Sequence, residues 1–255
     1  MINQLGIIPT WQKQHELSEL CLKKNELHLW WLPLHLEDEQ KEFTYSLLNQ
    51  RQLNKYHRRA HPQLQSAYLA GRYYLLTLLG AYKKCKPSEI KLSYSRLNKP
   101  SLDMSTLTHA AESIEFNFTD TTVNNQSYGL FAFCLNNSIG VDIEALSRTS
   151  NFTKIAKRRF TEHELAYTKG SSGELNPQKC LAIWTRKEAY GKATGKGINF
   201  QMNERNLISA EDHEYHFNDD QKDWRLLQIQ PDENFIACVV HETHQPLSIK
   251  AFKLL

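Results

Sequence analysis

A chain of 255 residues, 40% of them hydrophobic, can bury one large core or two ordinary ones, which excludes a disordered or fibrous protein. The formal net charge is only +3, so bulk charge argues for no nucleic-acid or other polyanionic partner. The five cysteines are scattered, odd in number and form no C-x-x-C pair, which excludes a zinc knuckle or a disulfide framework and suits a reducing, cytoplasmic setting. No signal-peptide core opens the chain, and the longest apolar stretch, Leu130–Leu135, is far too short to cross a bilayer, so no membrane is expected.

The alternating, aromatic ELHLWWLPL (26–34) reads as a strand, and EDEQKEFTYSLLNQRQLNKY (37–56) as one amphipathic helix. The basic knot Lys55-Tyr56-His57-Arg58-Arg59 follows, broken by Pro62. LQSAYLAGRYYLLTLL (64–79) predicts an apolar helix stopping at Gly80, and residues 101–115 read as a polar surface loop. YGLFAFCL (128–135) and SIGVDIE (138–144) flank Asn136-Asn137, a pair suited to the positive φ of a type I′ turn, so a hairpin is expected there. NFTKIAKRRF (151–160) predicts a helix, Thr161 and Glu164 a capping box for another, and QKCLAIWTRKEAYGKATG a longer helix ended by Gly195. EYHF, DWRLLQIQ, FIACVV and LSIKAFKLL over 214–255 read as a four-stranded meander. The order is mixed α and β in two halves that join near residue 138, giving 1–138 and 139–255.

Within SIGVDIE, Asp142 and Glu144 sit two apart on a strand and so share one face, while Val141 and Ile143 take the other. Adjacent carboxylates repel unless a proton or a cation lies between them. Leu181, Trp184, Glu188 and Lys192 fall on one stripe of the later helix, which turns Glu188 and Lys192 inward with the tryptophan and leucine. Asp142, Glu144 and Glu188 together offer oxygen-only ligands, a set that selects Mg²⁺ or Mn²⁺ over zinc. Magnesium usually completes its shell with substrate phosphates, which points to phosphoryl transfer.

IGVDIE (139–144), IAKRRFTEHE (155–164) and WTRKEAYGKATGKG (184–197), at these spacings, resemble the 4′-phosphopantetheinyl transferases of the long, two-halved, Sfp-like type. Weaker agreement runs through NKP (98–100), FNFTDT (116–121) and the KYHRR to GRYYLL region. The resemblance implies an α+β fold of two similar halves related by a pseudo-twofold. It also implies transfer of the phosphopantetheine arm of coenzyme A to a serine of an acidic acyl or peptidyl carrier protein by a cytoplasmic monomer, releasing adenosine 3′,5′-bisphosphate. Carried over by position, Asp142, Glu144 and Glu188 would hold Mg²⁺, Glu188 would take the serine proton and Lys192 would balance the pyrophosphate charge. Lys55, Arg58 and Lys99 fall in segments that grip the adenosine and its 3′-phosphate.

The family's Asn-x-Ser-His-Ser stretch reads here Asn117-Phe118-Thr119-Asp120-Thr121, and its G-K-P turn reads Asn98-Lys99-Pro100. Thr119 can do a serine's hydrogen bonding, and Asn98 can replace glycine where φ is positive. Asp120 cannot replace a phosphate-binding histidine, and is expected to turn away from the cleft or to join the metal shell. An arginine of the apolar helix is Ala67. The rival readings are a non-catalytic coenzyme A-binding or scaffold protein, motivated by Asp120, and a metal-dependent nuclease. The nuclease reading is weakened because Glu188 and Lys192 lie four apart on a helix rather than two apart on a strand.

Overall fold

The computed structural model describes residues 5–103, 113–197, 203–208, 213–243 and 247–254. Two sheets pack face to face, each with a long helix on its outer face. The first sheet contains β1 (Trp11–Gln14), β2 (Glu26–Pro33), β5 (Ile114–Val123), β6 (Gln126–Leu135) and β11 (Ser248–Leu254), in the order β1-β11-β2-β6-β5. The second runs β7 (Ile139–Ala145), β10 (Phe235–Glu242), β9 (Lys222–Ile229), β8 (Glu214–Asp219). β3 (Leu92–Tyr94) and β4 (Pro100–Leu102) form a small ribbon. The helices are α1 (Asp38–Ser46), α2 (Gln50–His57), α3 (Pro62–Lys83), α4 (Phe152–Arg159), α5 (Glu162–Thr168) and α6 (Pro177–Thr194).

The period-two pattern of β6 explains the layering. Leu130, Ala132 and Cys134 meet Val141, Ile143, Ala237 and Val239 between the sheets, whereas Phe131, Phe133 and Leu135 pack under α3. Val141 and Ile143 thus face the first sheet, and α6 covers the opposite, acidic face of β7.

Four expectations are corrected. The single helix over 37–56 is two, because Asn49 starts a new one: its side chain accepts the Gln52 amide at 3.0 Å, and Gln52 returns a bond from the Asn49 amide at 2.9 Å. α3 passes Gly80 and ends with Lys84 left-handed at φ 55°. Gly80 serves the returning chain instead, since a Cβ there would stand 2.7 Å from the Cys85 carbonyl oxygen. The hairpin lies one strand earlier than expected, between β5 and β6, where Asn124 and Asn125 both have positive φ (48° and 64°). β6 already has β2 and β5 on its two edges, so β7 cannot pair with it; only Asn136 of the expected turn is left-handed, and the chain crosses there to the second sheet. The last strand of the expected meander, β11, leaves the second sheet and runs parallel between β1 and β2. Of the expected loop 101–115, residues 104–112 lie outside the described residues, and its ends belong to β4 and β5.

Among the described glycines the tightest surroundings are at Gly140, where α6 meets β7. A Cβ there would overlap the Ala189 carbonyl oxygen and the Ala193 amide nitrogen, and stand 2.9 Å from the Ala193 Cα. These neighbours are backbone atoms, so relief requires the helix to move. Gly140→Ala should destabilise the fold by about 3 kcal/mol and lower Tm by roughly 6–12 °C. A thermal melt indistinguishable from wild type would show that α6 does not rest on this glycine.

Candidate active site

α6 begins at Asn176, whose side chain accepts the amides of Gln178 and Lys179, and ends at Gly195 with φ 69°. Its inward face carries Glu188 to within one layer of β7 and Lys192 one turn further. Lys192 Nζ lies 2.7 Å from Asp142 Oδ1 and donates at 3.1 Å both to Thr119 Oγ1 and to the Val141 carbonyl. Thr119 Oγ1 in turn donates to Asp142 Oδ1 at 3.4 Å. Glu144 is held by Arg148 at 2.8 Å.

Asp142 Oδ2 and Glu188 Oε1 are buried without a hydrogen-bond partner. Burial first, then the Asp142 charge, pushes the carboxyls of Glu144 and Glu188 up to about 7. Burial raises Asp142 as well, against the pull of Lys192. Three acids have therefore been brought together at the expense of their charged forms. Backbone capping fixes the other flank of α6: Lys99 Nζ donates to the carbonyls of Ala193 at 2.7 Å and Ile139 at 3.3 Å, tying the helix C-terminus to β7.

Sequence reasoning saw Glu164 only as a capping-box residue. It does make that box, accepting the Thr161 amide at 2.8 Å, but it is fully buried. It also accepts the Leu207 amide at 2.9 Å and pairs with the equally buried Lys187 at 2.7 Å, and Lys187 donates to the Arg205 carbonyl. Lys187 is the residue before Glu188, so this ion pair fixes the rotation of α6 about its own axis. The signal was present, since Lys187 stands outside the apolar stripe of a helix flanked on both sides by protein.

Across β5 lies a second, separate pocket, lined by Lys55, Arg59, Tyr68, Arg72, Tyr94 and Asp120 among others. Its cations rest on aromatic faces: Lys55 is 5.9 Å from the Tyr94 ring centroid and Arg59 5.0 Å from Tyr68. Arg72 is only 5% exposed, and its Nε and Nη1 have no partner. Burial, then the charges of Arg72, Arg51 and Arg59, hold the Lys55 ammonium below its usual range. Three cations against one carboxylate, Asp120, which makes no ion pair with them, leave a net positive pocket suited to an anion.

The expected coenzyme A contacts divide accordingly. Lys55 lines this pocket; Arg58 is exposed at the end of α2 and Lys99 is spent on backbone carbonyls, so neither points into it. Arg59 and Arg72 line it beside Lys55. A lone arginine inside the otherwise apolar α3, one turn after Tyr68, was the available signal. Asn98 is left-handed at φ 72°, as the substitution for glycine requires. Asp120 lines the cation pocket and makes no hydrogen bond to Asp142 or Lys192. Successive residues of a strand point to opposite faces, so Thr119 meets Lys192 and Asp142 while Asp120 faces the cation pocket. Its carboxyl is open to solvent yet walled in, and that enclosure raises its pKa against the opposing charges of Arg59 and Lys192.

A family model described as the 4′-phosphopantetheinyl transferase superfamily matches residues 138–240, the span that contains Asp142, Glu144, Glu188 and Lys192. The 4′-phosphopantetheinyl transferase HetI of Nostoc sp. is 31% identical over 221 residues, covering 86% of this chain and 89% of the relative. The chain belongs to the 4′-phosphopantetheinyl transferase superfamily. A putative 4′-phosphopantetheinyl transferase of Synechocystis sp. is 30% identical over 62% of the chain and 61% of its own length. A 4′-phosphopantetheinyl transferase of Aneurinibacillus migulanus, gsp, is 34% identical over 27% of the chain and 28% of its own. The mixed α+β architecture is that of this superfamily, and the protein is a transferase. Among the described residues no helix is long and apolar enough to cross a membrane.

The acid cluster of this transferase fits a hard divalent cation through its donor set. The ligands are oxygen only, two orphaned carboxylate oxygens are available, and the acids repel one another without a cation. Among the described residues no three potential ligands stand already gathered as a formed metal site, so a bound ion would need waters and substrate phosphates to complete its shell. The three acids also fix a sign for the pH dependence of stability. Each titrates higher folded than unfolded, so the stability linked to them is whole below the ordinary carboxylate range and is lost as pH rises, for Glu144 and Glu188 through about 7. In chelator, Tm should therefore fall between about pH 5 and about pH 8, and added Mg²⁺ should raise it mainly at the higher pH. An equal effect of Mg²⁺ at both ends would contradict the cluster's role.

Proposed function

We propose that this transferase moves the 4′-phosphopantetheine arm of coenzyme A to a serine hydroxyl of an apo acyl or peptidyl carrier protein, with Mg²⁺ dependence and release of adenosine 3′,5′-bisphosphate. The observation that carries this reading is the pair of sites divided by β5: orphaned carboxylates beside Lys192 on one face, and unpaired cations over aromatic rings on the other. A pyrophosphate with a phosphorylated nucleoside attached has the charge distribution that such a pair complements.

In this reading Asp142, Glu144 and Glu188 would hold the divalent cation, which neutralises pyrophosphate charge when bound. Glu188 would also take the proton of the attacking serine, directly or through water. Lys192 exchanges part of its bonding to Asp142 and Thr119 for the oxygens of the leaving phosphate, and Thr119 keeps the ammonium in register. Lys55, Arg59 and Arg72 receive the adenosine 3′-phosphate. The serine oxygen bonds to the phosphorus of the pantetheine side, and the pyrophosphate bond breaks towards the nucleotide.

The exposed Lys154, Lys157 and Arg158 of α4, next to the acid strand in sequence, suit an acidic carrier surface. Relative names support the transfer activity. The direct test is the intact mass of an apo-carrier incubated with coenzyme A, Mg²⁺ and the enzyme. A gain of one phosphopantetheine arm supports the reading, and an unchanged mass across fatty-acid, polyketide and nonribosomal-peptide carriers sinks it.

Two variants refine this. Glu188→Gln should lower kcat by at least about a hundredfold, while Tm without metal holds or rises because a repelling charge has gone. Near-normal kcat would remove Glu188 from proton transfer. The double change Lys157→Glu and Arg158→Glu should raise KM for the carrier about tenfold at low salt and leave KM for coenzyme A alone. A carrier KM insensitive to both charge reversal and salt would make the α4 face a solvated surface.

A further inference from the structure

The cation pocket contains one group that an anion site does not need. Asp120 lines it together with Lys55 of α2, Arg59 beyond it, Arg72 of α3, Tyr68 and Tyr94. Yet among the described residues the Asp120 carboxylate forms no ion pair and accepts no hydrogen bond. The arginines lie against aromatic rings instead, Arg59 over Tyr68 and Arg72 at 5.5 Å from Tyr68 and 5.7 Å from Phe118. A carboxylate has about four acceptor positions. Here they open into the pocket, where water fills them until a ligand with donors of its own replaces it.

A phosphate dianion supplies none and has the same sign of charge. A hydroxyl donates, and a carboxylate on a ribose hydroxyl is a recurrent mode of nucleotide recognition. We propose that Asp120 sets donor specificity, making 3′-dephospho-coenzyme A, with its free ribose 3′-hydroxyl, at least as good a phosphopantetheine donor as coenzyme A. The inference rests on the proposed function, in which this pocket takes the ribose end of the donor. The bond chemistry is unchanged. The serine oxygen bonds to the same phosphorus, its proton goes to Glu188, and the same pyrophosphate bond breaks with its electron pair leaving on the nucleotide. The product is adenosine 5′-monophosphate in place of the bisphosphate.

The test compares both donors with one apo-carrier, by steady-state kinetics and by calorimetric binding, for wild type, Asp120→Asn and Asp120→Ser. Wild type should show a kcat/KM for the dephospho donor equal to or above that for coenzyme A. Both variants should shift the ratio towards coenzyme A by at least tenfold, through KM and the dissociation constant. A wild type that prefers coenzyme A by more than tenfold, with a ratio unmoved in both variants, overturns the inference and leaves the transferase reading standing. If neither donor binds wild type, the assignment of the pocket fails, and the inference fails with it. If both bind without transfer, the binding ratio alone decides.

Discussion

The backbone contact of α6 with β7 at Gly140 is the constraint on which the site depends. Only a residue without a side chain lets Ala189 and Ala193 come so near the strand. At any larger separation Lys192 would not reach Asp142 and the Val141 carbonyl together, and the Glu188 carboxyl would not share burial with Asp142. The contact is locked from two further directions. Lys99 binds the carbonyls at the end of the helix, and the buried Glu164–Lys187 pair fixes its rotation. Buried ion pairs add little net stability against apolar replacements but penalise every arrangement that separates them, so this one specifies a single seating of α6.

That seating stores electrostatic strain. Asp142, Glu144 and Glu188 sit where burial and mutual repulsion favour protonation, and Lys192 relieves only one of them directly. β5 then separates this acid-rich face from a cation-rich one by a single pleat, Thr119 on one side and Asp120 on the other. Two adjoining sites of opposite sign fit a ligand that needs a cation at one phosphate group and protein cations at another.

Much of this was legible in the sequence. The i, i+2 acids, the i, i+4 Glu188 and Lys192, the capping box at Thr161 and the stop at Gly195 are local patterns, and each appears in the fold as read. The errors arose where a local signal had two possible tertiary uses. Asn124-Asn125 and Asn136-Asn137 are equally good turns as sequence, and only the crowding of β6 by β2 and β5 decides between them. Gly80 looks like a helix stop, but it accommodates a returning chain. Lys99 and Arg58 looked like phosphate ligands because they are basic and suitably placed along the chain. Their directions depend on a helix terminus and a solvent face that no short pattern encodes. Arg72 was hidden for the converse reason, a charge inside an apolar helix that lies against the rings of Tyr68 and Phe118 and leaves two nitrogens without a hydrogen bond.

The central claim is that the acids gathered by the α6–β7 contact form a divalent-cation site. The most direct measurement is a Mn²⁺ titration of the purified protein near neutral pH, followed by electron paramagnetic resonance in the presence of coenzyme A. One bound ion per chain in wild type, and none in Asp142→Ala of unchanged fold, is the outcome this account predicts. Stoichiometric binding that survives Asp142→Ala, or a wild type that transfers phosphopantetheine without binding Mn²⁺ or Mg²⁺, would contradict it.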